Sequence, residues 1–195
     1  MTVTYTNRKG RTYYLCRTET KTGAPLYFFA REPKGKPLDE IPEGYEIRES
    51  VNGLVSLAKQ RPVRIQPSER EWVETLLQQH PKSRNYRVDV KEGAIVIYER
   101  AGVDPEDLIG RLRTTLGIPS GRVDAVREVL EEGARFSPEM RFVLLDQEDR
   151  TFGAERWCYL GSIDDWIEVG PPGPLRVLAK RFIPLLGTHE LYDIL

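Results

Sequence analysis

Two neighbouring carboxylates, Asp164 and Asp165, come closer to a catalytic pattern than any other residues of this sequence. Close carboxylates push their pKa values apart, and acid–base chemistry and metal binding both use such pairs. The segment before them adds three reactive or polar side chains, Arg156, Cys158 and Tyr159. However, Ser162 followed three residues later by Asp165 is also typical of a helix N-terminus. We therefore expect these acids to cap a helix and keep catalysis as an alternative.

The remaining chemical groups are too scattered to predict a reaction. The glycines do not have the spacing of a phosphate-binding loop, and no zinc-protease or nucleophile-elbow sequence occurs. His80 and His189 are isolated, and lone histidines are mostly structural. Cys16 and Cys158 lack a second cysteine nearby, so we expect both to be reduced and packed. These observations favour a non-catalytic protein, with no cofactor and no metal.

The charge of the chain divides unevenly along its length. Residues 1–64 hold twelve Lys+Arg and seven Asp+Glu, a net charge of +5, whereas residues 65–195 hold seventeen and twenty-three, a net charge of −6. A basic segment is the electrostatic footprint of a protein that meets phosphates or an acidic protein surface. The alternative is that these cations merely solvate exposed strands.

Residues 1–64 are predicted to form an antiparallel β-meander. Turn sequences rich in Gly, Pro and Asn separate short runs of aromatic and β-branched residues, which are typical of strands. The predicted strands are Thr12–Thr18, Pro25–Arg31, Tyr45–Glu49 and Leu54–Lys59. Asn52-Gly53 should close a tight hairpin, because both central residues of such a turn need positive φ.

Side-chain alternation predicts a basic and aromatic face on this module. If the strands pair in the expected register, one face combines six residues: Arg11, Tyr13, Arg17, Tyr27, Phe29 and Arg31. Bases could stack on the rings while the guanidinium groups hold the phosphates. Leu26, Phe28 and Ala30 should then supply the core on the other face. The alternative is that both faces are buried and the rings only stabilise the fold.

Residues 65–195 are predicted to form a mixed α+β body of β-hairpins and amphipathic helices. Ser68 with Glu71 suggests a capping box for a helix that reaches about His80. The predicted hairpins pair 86–90 with 94–99 and 140–146 with 151–160. Residues 112–130 resemble a helix-turn-helix, but Arg113, Gly121 and four acidic residues weaken that interpretation, so we expect an ordinary helical hairpin.

The chain ends in an apolar segment formed by Leu191, Tyr192, Ile194 and Leu195. Such a segment should dock on the body or on a partner, which makes a homo-oligomer a further alternative. No apolar run approaches the roughly 20 residues of a membrane helix, and the N-terminus lacks the apolar core of a signal peptide. We therefore expect a cytoplasmic protein without a membrane partner.

Several segments of the chain resemble a group of uncharacterised prokaryotic proteins. The resemblance rests on Tyr5–Leu15, Thr20–Gly23, Tyr27–Phe29, Leu38–Ile47 and Asn52-Gly53, together with Trp157–Trp166 near the carboxyl end. No activity is attached to that group, so the resemblance implies a shared layout and no site residue.

The sequence as a whole favours an interaction protein whose basic β-module contacts nucleic acid or an acidic protein surface. Two alternatives stay open. The first is an enzyme or small-molecule-binding protein with a site between module and body near Asp164 and Asp165, and the second is an oligomeric structural protein.

Overall fold

The computed structural model describes residues 2–117, 119–160 and 163–193. It divides into two compact units, Met1–Pro62 and Val63–Leu195, which we call the module and the body. The module is built of antiparallel strands, and the body combines antiparallel strands with helices. The predicted α+β class, with an N-terminal β-meander, is confirmed.

The module contains six strands in two sheets. The strands are β1 (Thr4–Thr6), β2 (Thr12–Glu19), β3 (Pro25–Ala30), β4 (Lys36–Pro37), β5 (Tyr45–Glu49) and β6 (Val55–Lys59). In the first sheet β2 lies between β1 and β3, and β4 also pairs with β2. β5 and β6 form a separate hairpin. β1 and β4 were not predicted, because strands of two or three residues leave no alternation to recognise.

The turn between β5 and β6 differs from the prediction. The last ladder pair before the turn is Glu49 with Val55, so five residues connect the strands. Gly53 has a φ of +78°, whereas the φ of Asn52 is not positive. Among the described non-glycine residues, only Glu92 and Arg150 have a positive φ. Asn52-Gly53 therefore lies in a longer loop, and only the glycine adopts the left-handed conformation.

The body is organised around one six-stranded antiparallel sheet. Its strands are β7 (Tyr86–Lys91), β8 (Ala94–Arg100), β9 (Phe136–Asp146), β10 (Thr151–Leu160), β11 (Ile163–Glu168) and β12 (Gly173–Pro174). The order across the sheet is β11-β10-β9-β8-β7, and β12 pairs with β10. The two predicted hairpins correspond to β7–β8 and β9–β10. β11 replaces the helix that we predicted after Ser162, a residue outside the described part.

Helices flank or connect these strands. They are α1 (Pro67–Gln78), α2 (Pro105–Leu116), α3 (Ser120–Gly133), α4 (Leu175–Phe182) and α5 (Glu190–Asp193). α1 begins with a capping box two residues earlier than predicted, since the Glu69 carboxylate accepts a hydrogen bond from the Gln66 backbone N–H at 2.7 Å. α2 and α3 form the expected helical hairpin, and Gly117, with a φ of +61°, ends α2.

One face of the body sheet forms the main core. Ile95, Ile97, Phe142 and Phe152 are fully buried there, beneath Val73 of α1 and Phe182 of α4. Leu191 of α5 is fully buried in the same cluster. The carboxyl-terminal segment therefore docks on the body at Leu191, while Ile194 and Leu195 lie outside the described residues. Within the part that the structure describes, no helix combines the length and the apolar character that crossing a bilayer requires.

Candidate functional site

The register of the module sheet brings several of the predicted site residues onto one face. Arg17 lies opposite Tyr27 of β3 on one side and opposite Lys36 of β4 on the other. Opposed residues of antiparallel strands share a face, so the two cations and the ring form one row across the sheet. Phe29 pairs with Leu15 in the next row of the same face. Tyr13 follows and pairs with Tyr5 of β1.

The hairpin β5–β6 packs against this face. The rings of Tyr27 and Tyr45 meet edge to face, with their centroids 5.4 Å apart. The Tyr5 hydroxyl donates a hydrogen bond of 3.0 Å to Glu49, and this hydrogen bond together with burial raises the pKa of Tyr5. Leu15 is fully buried between the two layers. The rings of Tyr13, Tyr27 and Phe29 are half-buried on this face, so the hairpin β5–β6 covers part of the predicted stacking face.

The opposite face of the module sheet also departs from the prediction. Leu26 was expected in the core together with Phe28 and Ala30, but half of its surface is exposed. Phe28 and Ala30 are half-buried, and Cys16 is fully buried as a free thiol. Because apolar side chains are covered on both faces, much of the aromatic content of the module serves packing.

The cations of the first sheet remain at the solvent. Arg11, Arg31 and Lys36 are exposed, and in the described ranges none of the three is paired with a carboxylate. The Arg17 guanidinium lies 3.7 Å from Glu19, whose side chain is 67% exposed. Residues 1–38 hold eight Lys+Arg and two Asp+Glu, so their net charge is +6. The positive charge of the module is therefore concentrated in its first sheet.

Asp164 and Asp165 do not converge on a site. Both lie on β11, where adjacent side chains point to opposite faces of the sheet. The Asp164 carboxylate accepts a hydrogen bond of 3.1 Å from the Trp157 indole N–H, and Asp165 accepts one of 2.7 Å from the Trp166 backbone N–H. The expected helix cap is wrong, because residues 163–168 extend the ladder of β10 as a strand.

A polar cluster that sequence analysis did not predict lies under the carboxyl-terminal segment. The Tyr86 hydroxyl donates to Glu99 at 2.9 Å, and the Tyr192 hydroxyl donates to Glu139 at 2.5 Å. Arg156 is buried and donates to the Tyr192 carbonyl oxygen at 3.4 Å. Burial raises the pKa of Glu139, and the charge of Glu99 raises it further. Burial also raises the pKa values of both tyrosines.

The sequence contains one signal for this cluster. β9 is a central strand, and Pro138 lies within it, although proline in a central strand is confined to bulges. The ladder pairs Tyr98 with Pro138 but Ile97 with Met140, so Glu139 is the extra residue of a bulge. The bulge turns the Glu139 carboxyl toward Tyr192, and the cluster fastens α5 to the sheet.

Two further observations concern metal binding and the polar surface of the body. No group of three His, Cys, Asp or Glu in the described part could hold a metal ion. A surface groove of about 890 Å³ runs past Arg84, Glu106 and Arg127. Both arginines bind the Glu106 carboxylate there, at 3.3 and 2.9 Å. The Arg127 hydrogen bond lowers the pKa of Glu106.

Neither the polar cluster nor the groove combines a nucleophile with a base and an open approach for a substrate. The module sheet, by contrast, presents unpaired positive charge on a supported scaffold. Comparisons with known proteins add no further assignment, because no family model, no curated protein and no solved structure matches this chain.

Proposed function

We propose that this chain is a non-catalytic interaction protein that binds nucleic acid through the first sheet of its N-terminal module. The proposal rests on one observation: the exposed cations of that sheet outnumber the acids near them. Arg11, Arg31 and Lys36 stand without carboxylate partners among the described residues, and residues 1–38 have a net charge of +6. Cations that are not neutralised internally attract phosphates and release the counterions bound to them.

The geometry favours recognition of the phosphate backbone over recognition of bases. The rings that could stack on bases are half-buried, with Tyr27 packed against Tyr45 and Phe29 beside the buried Leu15. The cations instead remain exposed or half-exposed, as Arg17 and Lys36 do in their row across β2 and β4. Backbone contacts carry little sequence information, so we expect binding with weak sequence preference and strong salt dependence.

Fluorescence anisotropy of the full chain tests this proposal. The probe is a fluorescein-labelled single-stranded DNA of about 20 nucleotides, longer than a small β-module covers, and the same sequence is also tested as a duplex. The affinity should fall steeply between about 50 mM and about 200 mM salt, because each phosphate contact releases counterions. Absence of binding to either probe at the lower salt concentration would exclude nucleic acid.

A matched pair of variants assigns the binding to the first sheet. Arg31→Gln with Lys36→Gln removes two exposed cations and should weaken binding about tenfold, with a salt slope that is shallower by about 1.5. Arg48→Gln with Arg70→Gln removes the same charge from two arginines that are bound to Glu46 and Glu74. The control variant should keep most of the affinity. Equal losses in both variants would show that net charge alone drives the binding.

An acidic protein surface is the competing partner, and a third probe separates it from nucleic acid. Labelled polyglutamate of similar charge should bind more weakly than the single-stranded DNA, because phosphates accept hydrogen bonds from guanidinium forks in defined geometry. Tighter binding of polyglutamate would assign the sheet to a protein partner.

A further inference from the structure

The hairpin β10–β11 carries a second surface of distinct chemistry, which we call the aromatic surface. It consists of Trp157, Tyr159, Asp164, Trp166 and Glu168. The ladder pairs Trp157 with Trp166, Tyr159 with Asp164, and Glu155 with Glu168, so all of these side chains project from the same face of the sheet. This face is opposite the one that carries Met140 and Phe142 of the main core.

The three rings form a connected array. Trp157 and Trp166 meet edge to face, with ring centroids 4.9 Å apart and planes at 86°. Trp157 and Tyr159 lie 5.9 Å apart at 59°. The array is incompletely covered, since both indoles are half-buried and the Tyr159 side chain is 64% exposed. Ring faces of this kind attract cations through their quadrupoles.

One cation of the chain already occupies part of the array. The Arg141 guanidinium lies over the Trp166 ring, 4.3 Å from its centroid. The same guanidinium binds the Glu155 carboxylate, at 2.5 Å. Together the two contacts form a small site in which an aromatic face and a carboxylate hold an arginine side chain. Arg141 therefore demonstrates, within this molecule, which chemistry the surface accepts.

A second ring and carboxylate, Tyr159 and Asp164, lie beside the Arg141 site, and among the described residues no cation is bound to them. Tyr159 is the neighbour of Asp164 across the ladder, and Asp164 holds the Trp157 indole through its N–H. Asp164 and Glu168 are exposed on this edge of the sheet, and in the described ranges neither forms an ion pair. Exposed rings flanked by unpaired carboxylates are complementary to a positive and planar group.

We propose that the aromatic surface binds an arginine side chain of a partner protein. The guanidinium would stack on Tyr159 and Trp157 and donate hydrogen bonds to Asp164, as Arg141 stacks on Trp166 and binds Glu155. The occupant is an arginine-containing peptide segment, because a planar guanidinium satisfies both the rings and the carboxylate. This inference is independent of nucleic-acid binding, since it concerns anionic residues of the body.

NMR titration of the uniformly ¹⁵N-labelled full chain tests the inference. The probes are three capped peptides of alternating glycine and arginine, glycine and lysine, and glycine and glutamine. The arginine peptide should shift the indole signals of Trp157 and Trp166 and bind at least about fivefold more tightly than the glutamine peptide. Trp72 is the internal reference, because Arg176 and Lys180 already lie over its ring.

Two variants with a matched control locate the site. Tyr159→Leu keeps an apolar side chain but removes the ring, and Asp164→Asn keeps an acceptor for the Trp157 indole but removes the charge. Each should weaken binding of the arginine peptide by about threefold to tenfold. Asp149→Asn removes one exposed carboxylate from the β9–β10 turn and should leave the affinity unchanged.

Four results would overturn the inference. Equal affinity for the arginine and glutamine peptides would show that charge and the planar group are irrelevant. Shifts of the Trp72 signal as large as those of Trp157 would indicate unspecific association. A loss of affinity in Asp149→Asn that equals the loss in Asp164→Asn would show that only net charge matters. Tighter binding of the lysine peptide than of the arginine peptide would contradict the preference for a guanidinium group.

Discussion

The two units of this chain differ in what their positive charges contact. In the body, Arg100, Arg141 and Arg150 each bind a carboxylate and are at least two-thirds buried. In the module, Arg31 and Lys36 are exposed and have no carboxylate partner in the described ranges. A buried cation must be paired to be tolerated, whereas an exposed one need not be. The body therefore uses these three charges to hold its fold, whereas the module keeps Arg31 and Lys36 at the solvent.

The position of the exposed Lys36 in the module depends on the backbone conformation of Gly35. Gly35 precedes Lys36 with a φ of +74°, and a Cβ atom at this position would lie 2.8 Å from the Arg17 carbonyl oxygen. Gly35→Ala should therefore lower the free energy of unfolding by about 2 to 3 kcal/mol, through backbone strain and the contact with the carbonyl. Urea denaturation of the full chain measures this loss.

Gly10→Ala is the matched control for that prediction. Gly10 has a similar φ, +69°, but its Cβ would have open space around it. This variant should lose only the cost of the left-handed conformation, about 1 kcal/mol. Equal losses in the two variants would show that close approach to β2 does not constrain Gly35.

A pair of carboxylate substitutions compares the two units directly. Glu131→Gln removes the partner of Arg100, whose side chain is only 5% exposed. It should lower the free energy of unfolding by about 1 to 2 kcal/mol, because a buried cation loses its counter-charge. Glu19→Gln removes the partner of Arg17 at the surface of the module and should cost less than about 0.5 kcal/mol. Equal costs would contradict the contrast between the units.

The pH dependence of stability tests the buried carboxyl of the body. The raised pKa of Glu139 means that the folded protein holds a proton at pH values where the unfolded chain has released it. The stability contribution of Glu139 is thus complete below the ordinary pKa of a glutamate and is lost as the pH rises through the folded pKa. Glu139→Gln keeps an acceptor for the Tyr192 hydroxyl and should remove this loss.

Urea denaturation from about pH 4 to about pH 8 measures the effect. The stability of Glu139→Gln relative to the natural chain should increase with pH. Glu148→Gln, which changes an exposed carboxylate in the β9–β10 turn, should show no such trend. A difference between Glu139→Gln and the natural chain that stays constant across this range would contradict the proposed ionisation.

The exposed cations of the module should contribute little to the stability of the fold. Arg31→Gln with Lys36→Gln should change the free energy of unfolding by less than about 0.5 kcal/mol, because neither side chain holds a partner that folding requires. Calorimetry of this variant separates stability from binding. A large loss of stability would show that these cations support the fold and would remove them as evidence for a ligand.

The sequence predicts the elements of this fold better than their contacts. The positions of the longer module strands and of the body hairpins follow from local patterns, and the structure confirms them. Three features have non-local causes: the hairpin β5–β6 covers part of the predicted stacking face, β11 extends the ladder of β10 although its acids resemble a helix cap, and the unpredicted Glu139 bulge depends on pairing with β8. Each is decided by a partner strand that the local pattern does not contain.

The candidate sites could likewise be predicted only where they depend on local sequence. Arg11, Arg17 and Arg31 could be singled out by charge alone, and Tyr27 by its place on the same face. The sequence left open whether Tyr27 packs or binds a ligand, because the same ring serves a core or a ligand equally well. The aromatic surface escaped prediction for a related reason, since Trp157 and Trp166 meet only when β10 and β11 pair.

The acidic residues of β11 also disfavour edge-to-edge association between copies of this protein. β11 is an outer strand of the body sheet, and open strand edges are the usual starting points of aggregation. Asp164, Asp165 and Glu168 place three negative charges on this six-residue strand. Two copies that joined edge to edge with these acids opposite one another would bring like charges within about 5 Å, across the spacing of paired strands. The edge is thereby protected against growth into a continuous intermolecular sheet.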